Sequence, residues 1–361
     1  MNTDYIIIDP RPLEAFKDST FSGFKKKEVF KKLFDCIENE KIEESCYWIT
    51  ECICSGYSDE IFEKCMLLNS NLIHINNPNL PEFLYRKYIS FVNSFNHIDK
   101  KNKDQLIHLR NTQNVRNCLF DIVITILNSS KKKRLNKQIK LSDDDYQFSE
   151  IKNKLKATMQ ILPSSVIRFT DPDELKIILN EFLFHLKNIN GGYDDACYWI
   201  NWLIQWEKIN KKKKIKYEIE CRNINNVNPK YCTNIIWIIW ETIFIECKER
   251  NKNIQTQIQN LYQLFIYNYS PGKRNTRLPY LYHCIAYLTY PINFNIKIRE
   301  NKDLFIQTQC NINIMFKNKK NNEVKNYISP KINQVKQNQN INNEISESKF
   351  NSLLEVDELK Y

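Results

Sequence analysis

Cys46, Cys52, Cys54 and Cys65 are the first residues of this 361-residue chain whose types and closeness could do chemistry, because thiolates are preferred zinc ligands. Their spacing fits no familiar zinc module. A related later segment also puts Leu203 and Gln205 where Cys52 and Cys54 stand, so no metal is expected there. Paired carboxylates at Glu43-Glu44 and Asp194-Asp195 could hold a divalent cation or move protons. Neighbours in one helical turn point apart, and first-turn carboxylates complement free N–H groups, so helix starts are their expected use. Asp143 to Asp145, after Ser142, reads the same way.

His74, His97, His108, His185 and His283 form no metal-binding pair at helical spacing and flank no Ser or Cys nucleophile motif. His185, inside "EFLFHL", reads as a hydrogen-bonded core residue. "SPGKRNT" (Ser270 to Thr276) resembles the end of a phosphate-binding loop, but Tyr267 stands where a glycine is required and no strand precedes it. No catalytic residue and no cofactor are expected, and the chain does not read as an enzyme.

The feature most like a site is "RNT", written at Arg110–Thr112 and again at Arg274–Thr276. Thr112 and Thr276 could each cap a helix start facing an anion, with Arg110, Arg116, Lys273, Arg274 and Arg277 supplying positive charge. The competing reading is that these arginines brace a turn within each module. Lys211 and Lys212, in the run to Lys214, could grip a nucleic-acid backbone, as could Lys131 to Arg134; charge runs are also ordinary solvated loops. No helix-turn-helix or zinc-finger pattern supports reading of bases.

These residues sit on elements that recur. "CYWI" occurs at Cys46–Ile49 and at Cys197–Ile200. Before the first lie Phe30, Leu33, Phe34 and Ile37, and before the second lie Leu179, Phe182, Leu183 and Leu186, all at helical spacing. "INNPNLPEFLYRKYISFV" from Ile75 is answered by "INNVNPKYCTNIIWIIW" from Ile224, and the "RNT" segments follow in the same order. The expected fold is all-α, two tandem copies of a four- to five-helix module with a disordered C-terminal tail. The expected divisions are an arm (1–21), copy 1 (22–130), a charged connector with a linking helix from Ser149 to Ile161 (131–171), copy 2 (172–316) and a flexible tail (317–361). Trp199, Trp202 and Trp206 form an aromatic face suited to the interface between copies or to a partner groove. Trp202, Trp206 and the tail residues Phe350, Leu353 and Leu354 are the protein-contact candidates.

Composition agrees with helices: only 5 glycines and 11 prolines leave little for loop-rich β architecture. The net charge of +11 favours acidic partners, tempered by a general richness in Lys, Asn and Ile. The apolar run Ile235 to Ile245 is interrupted by Glu241 and falls short of the roughly 20 residues of a membrane span. With no visible export signal, an intracellular, cytoplasmic protein with reduced thiols and no membrane contact is expected.

"CYWINWLIQWE" (Cys197 to Glu207), "RLPYLYHCI" (Arg277 to Ile285) and the Asn/Lys/Ile-rich style resemble an uncharacterised helical protein family of nucleocytoplasmic large DNA viruses, over residues 20–300. The resemblance implies a virus-encoded protein acting in replication, late expression or particle assembly, in host cytoplasm or the virion, and carries over no catalytic residues. The expected function is a non-enzymatic adaptor or scaffold binding protein partners in a multi-subunit assembly. The alternative is a nucleic-acid-binding protein that grips DNA or RNA phosphates without reading sequence.

Overall fold

The computed structural model describes residues 6–94, 106–131, 141–299 and 302–327. Among these residues there are twelve α-helices and no strand. A first set comprises α1 (Lys26–Glu38), α2 (Ile42–Cys54), α3 (Ser58–Leu68), α4 (Leu80–Asn93) and α5 (Gln113–Leu127). After the short α6 (Phe148–Lys154) comes a second set: α7 (Glu174–Lys187), α8 (Tyr193–Lys213), α9 (Ile235–Lys248), α10 (Lys252–Ile266) and α11 (Leu278–Thr289). The last helix, α12, is Lys302–Lys320.

Apolar periodicity explains the packing. In α1, Val29, Phe30, Leu33 and Ile37 make one buried stripe that closes a hairpin on Cys46, Ile49 and Ile53 of α2. In α7, Leu175, Ile178, Leu179, Phe182 and Leu186 do the same against Cys197, Ile200 and Ile204 of α8. The two most enclosed helices, α5 and α11, each touch all four other helices of their set. Both are accordingly apolar on nearly every side. The sets meet where α4 lies on α10, and where a π-helical turn (Asn69–Ile73) and the turn after it lie on α11, so one apolar core runs through both.

The sequence set the Ile75 segment, which enters α4, against the Ile224 segment, which enters α9; α4 is the fourth helix of its set and lies on α10, whereas α9 is the third of its set. The Asn/Pro turns are similar in wording but precede helices with different neighbours.

Three other expectations change. The linking helix stops at Lys154, well before Ile161, because buried side chains of α7 capture the next stretch of backbone. Glu181 accepts the N–H groups of Lys156 and Ala157, and Asn180 Oδ1 accepts those of Ile161 and Leu162, which takes these four away from helical bonds. The described part of the arm, residues 6–21, is part of the body, with Phe16 and Phe21 each 1% exposed. Helix α12 runs past Phe316 and lies on α2, so it closes over the first set rather than the second. There Phe316 sits under the Arg116 guanidinium at 4.6 Å, and Lys319 pairs with Glu51 in the interior. Glu323 and Val324 then bond to Ile8 and Asp9, joining the two ends of the described chain. No described helix is long and apolar enough to cross a membrane.

Candidate functional site

The arginines of the paired "RNT" segments are internal braces. Arg110, 1% exposed, donates through Nη1 to the Cys54 carbonyl at the end of α2 and through Nη2 to the Asp9 carbonyl, each at 3.1 Å. Asn111 exchanges both of its amide bonds with the Ile7 backbone, at 2.8 and 2.9 Å. In the second set Arg274 reaches back to the C-terminal half of α8, where it pairs with the buried Glu207, and donates to Asn234 Oδ1 at 3.0 Å. Both arginines therefore tie the start of the fifth helix to the C-terminal half of the "CYWI" helix of their own set.

The other anion candidates are engaged in the same way. Arg116 donates to the Arg110 carbonyl at 3.0 Å. Arg277 donates to the carbonyls of Phe265 and Tyr267 and to Glu63, which also pairs with Lys273. Thr112 precedes α5 without a side-chain cap bond, and the Thr276 hydroxyl donates to the Lys273 carbonyl, so neither threonine frames an anion site. The arginines are buried donors engaged by carbonyls and side-chain oxygens of the same chain, with Nε of Arg110 alone among the Arg110 nitrogens left without a partner among the described residues. Sequence shows that such residues recur; only packing shows that they point inward.

The protein-contact candidates also turn inward. Trp202, 3% exposed, donates its indole N–H to the Asp145 carbonyl at 3.0 Å and lies 5.0 Å from the Tyr146 ring. Trp206 packs on Tyr217 at 4.9 Å. Segments of this same chain cover both tryptophans, which removes them as partner contacts. Phe350, Leu353 and Leu354 lie outside the described residues.

The histidines resolve similarly. His283 Nδ1 is 3.1 Å from Ser70 Oγ, but both side chains are fully buried, and burial holds the imidazole well below its ordinary pKa. His185 lies between Glu181 and Asp195 in the α7–α8 hairpin; burial lowers its pKa against the opposing pull of the two carboxylates. His97 lies outside the described residues. The thiols of Cys46, Cys52, Cys54 and Cys65 are buried and pushed up by desolvation, Cys46 and Cys65 to about 12. No described group of three or more His, Cys, Asp or Glu residues could hold a metal.

Among the described residues, two solvent-facing features bear on function. The first is a turn before α7, Arg168–Asp171, which presents Phe169 with its surface 100% exposed. Its backbone is fixed from below. Asp171 N–H donates to the Arg168 carbonyl at 3.1 Å, and Asp171 Oδ2 accepts Arg168 N–H at 2.9 Å. Both oxygens of Asp171 receive the Arg222 guanidinium, at 2.6 and 2.5 Å, with the two side chains 0% and 1% exposed. Glu241 then joins Arg222 to Arg168, at 3.1 and 2.8 Å. Burial pushes the Asp171 carboxyl upward, and Arg222 with two backbone N–H groups outweighs it, so the net pKa shift is down. Sequence reasoning missed this turn. Asp171-Pro172 marks a turn in "RFTDPDE", but nothing local tells that Phe169 points to water or that Arg222 completes the support.

The second feature is an open cleft of about 920 Å³ beside the end of α8, lined by Glu207, Lys211, Lys216, Tyr217, Lys230 and Tyr231 among others. Lys211 pairs with Glu207 at 3.5 Å, whereas Lys212, Lys213, Lys214 and Lys216 have no carboxylate partner among the described residues.

No known protein family, curated protein or solved structure matches this chain.

Proposed function

We propose that this protein is a non-enzymatic helical adaptor of a larger intracellular assembly, of the kind giant viruses encode, and that Phe169 is its protein-contact point. The observation that carries this reading is a wholly exposed aromatic side chain on a turn held by the buried Arg222–Asp171 ion pair. Leaving a phenylalanine in water forgoes about 2–3 kcal/mol of burial. Rigid aromatic anchors of this kind dominate interface energetics, because little side-chain entropy is lost when they enter a pocket. Exposed Asp173 and Glu174 follow Phe169, so the fitting partner offers an apolar pocket with a basic rim.

The test compares wild-type and Phe169→Asp chains as bait in the cells that make the protein, with quantitative mass spectrometry of what co-purifies. The reading expects partners reduced more than about tenfold by the variant at an unchanged melting temperature. Equal recovery by both chains overturns it.

The exposed lysines at the end of α8 favour phosphate gripping as the second reading. Here wild-type protein binds DNA and RNA with a steep loss on adding salt, and Lys212→Glu with Lys213→Glu abolishes that binding. Absence of binding at low salt removes this alternative.

A further inference from the structure

We propose that Cys221 and Cys232 are a reversible thiol–disulfide pair, oxidised by small-molecule disulfides, that locks one wall of the α8 cleft. The inference stands independently of the adaptor reading.

Cys221 is the exposed thiol among the described cysteines, and Cys232 is 2% exposed. The chain between them doubles back so that Arg222 N–H donates to the Cys232 carbonyl at 3.1 Å. Both sulfurs rest on consecutive carbonyls of one turn, Cys221 Sγ at 4.0 Å from the Pro229 oxygen and Cys232 Sγ at 3.6 Å from the Asn228 oxygen. These contacts to consecutive carbonyls place the two sulfurs in one neighbourhood.

The ends of this loop are fixed by surrounding structure. Arg168 Nη1 donates to the Cys221 carbonyl at 2.8 Å, and Arg222 is anchored in the Asp171–Glu241 network. After Cys232, Asn234 caps α9 by accepting from Ile236 N–H at 3.0 Å. Bringing the sulfurs to bonding distance therefore asks for a side-chain adjustment at fixed termini, not a rearrangement of helices. The buried clusters differ on this point. Cys52, Cys54 and Cys65 lie in the core of the first set, and Cys247 and Cys284 in that of the second, where no soluble disulfide arrives.

The chemistry is an exchange that needs no metal or electron carrier. The Cys221 thiolate attacks one sulfur of a small disulfide, whose S–S bond breaks as a new one forms and the first thiolate leaves. Cys232 gives its proton to solvent and attacks the Cys221 sulfur, expelling the second small thiolate. Two protein thiols are oxidised, one small disulfide is reduced to two thiols, and protons balance between them. The closed loop holds Lys230 and Tyr231 against the cleft, and the Tyr231 carbonyl already accepts the Trp237 indole N–H at 2.7 Å. Oxidation thus stiffens the cleft wall, and reduction releases it.

The experiment incubates the native full chain with graded ratios of oxidised to reduced glutathione and maps cysteine linkages by mass spectrometry. Expected is one intramolecular Cys221–Cys232 bond, a mass lower by about 2 Da, and alkylation of Cys221 by iodoacetamide slowed more than about tenfold. Cys232→Ser should instead accumulate a stable glutathione adduct on Cys221, and Cys221→Ser should take up no glutathione on Cys232 while folded. Melting curves of both variants report whether they fold, and the wild-type linkage map decides without them. Glutathione retained on wild-type Cys221 with no internal bond at any ratio overturns the proposal.

Discussion

At the scale of single residues, the molecule relies on buried arginines whose partners are fixed by tertiary packing. Arg222 is the sharpest case, since the Asp171 side chain is wholly enclosed and has no other cation partner among the described residues. Replacing Arg222 by Met should cost about 3–5 kcal/mol in chemical denaturation, because an uncompensated carboxylate remains in the interior. Adding Asp171→Asn should recover part of that loss; an additive second loss would mean the two side chains are not coupled. The word "RNT" was legible in the sequence as a recurring pattern. Its use was not, because Arg110 and Arg274 meet their acceptors on helices far away in the chain. The same limit hid Phe169, since an exposed and a buried phenylalanine look alike in a sequence.

At the scale of elements, periodicity identified the helices and distant side chains set some of their ends. The α7–α8 hairpin closes at Gly191-Gly192, where a Cβ on Gly192 would stand 1.9 Å from the His185 carbonyl oxygen. Its φ of −85° is open to any residue, so closeness and not backbone freedom demands glycine. Gly192→Ala should therefore force the hairpin apart and lower the melting temperature markedly. Gly272→Ala, with nothing within 4 Å of the added carbon, should leave it nearly unchanged. Equal effects at both sites would show that the hairpin tolerates spreading. The end of α6 illustrates the opposite dependence: Asn180 and Glu181 take N–H groups from residues 156–162, a competition no local pattern announces.

At the scale of the whole molecule, buried titratable groups link stability to pH. His185 and His283 have folded pKa values below the ordinary 6.5, so the unfolded chain binds their protons first. Their neutral burial costs nothing extra above about pH 6.5 and destabilises the fold progressively below it. For His185 the facing groups are Glu181, Asp195 and Lys156, and the net shift remains downward. Asp171 and Glu51, whose pKa values are lowered, contribute stability above their unfolded values of 3.8 and 4.5 that is lost on further acidification through their folded values. Denaturation midpoints should fall between pH 7 and 5.5 and fall again below about pH 4. His185→Gln should flatten the first decline; an equal decline in that variant would exclude His185 as its source.

The sequence by itself determined the helical class and the faces of α1, α2, α7 and α8 that enter the core. Those follow from apolar spacing, which acts between residues one turn apart. Tertiary structure alone decided that α12 returns to α2, that α4 pairs with α10, and that Trp202 and Trp206 lie beneath the chain's own segments. It also decided which polar groups remain available to ligands. Burial and hydrogen-bond partnership are properties of surfaces brought together from distant segments, so the arginines of both Arg-Asn-Thr words serve inside the protein while Phe169 and Cys221 face water.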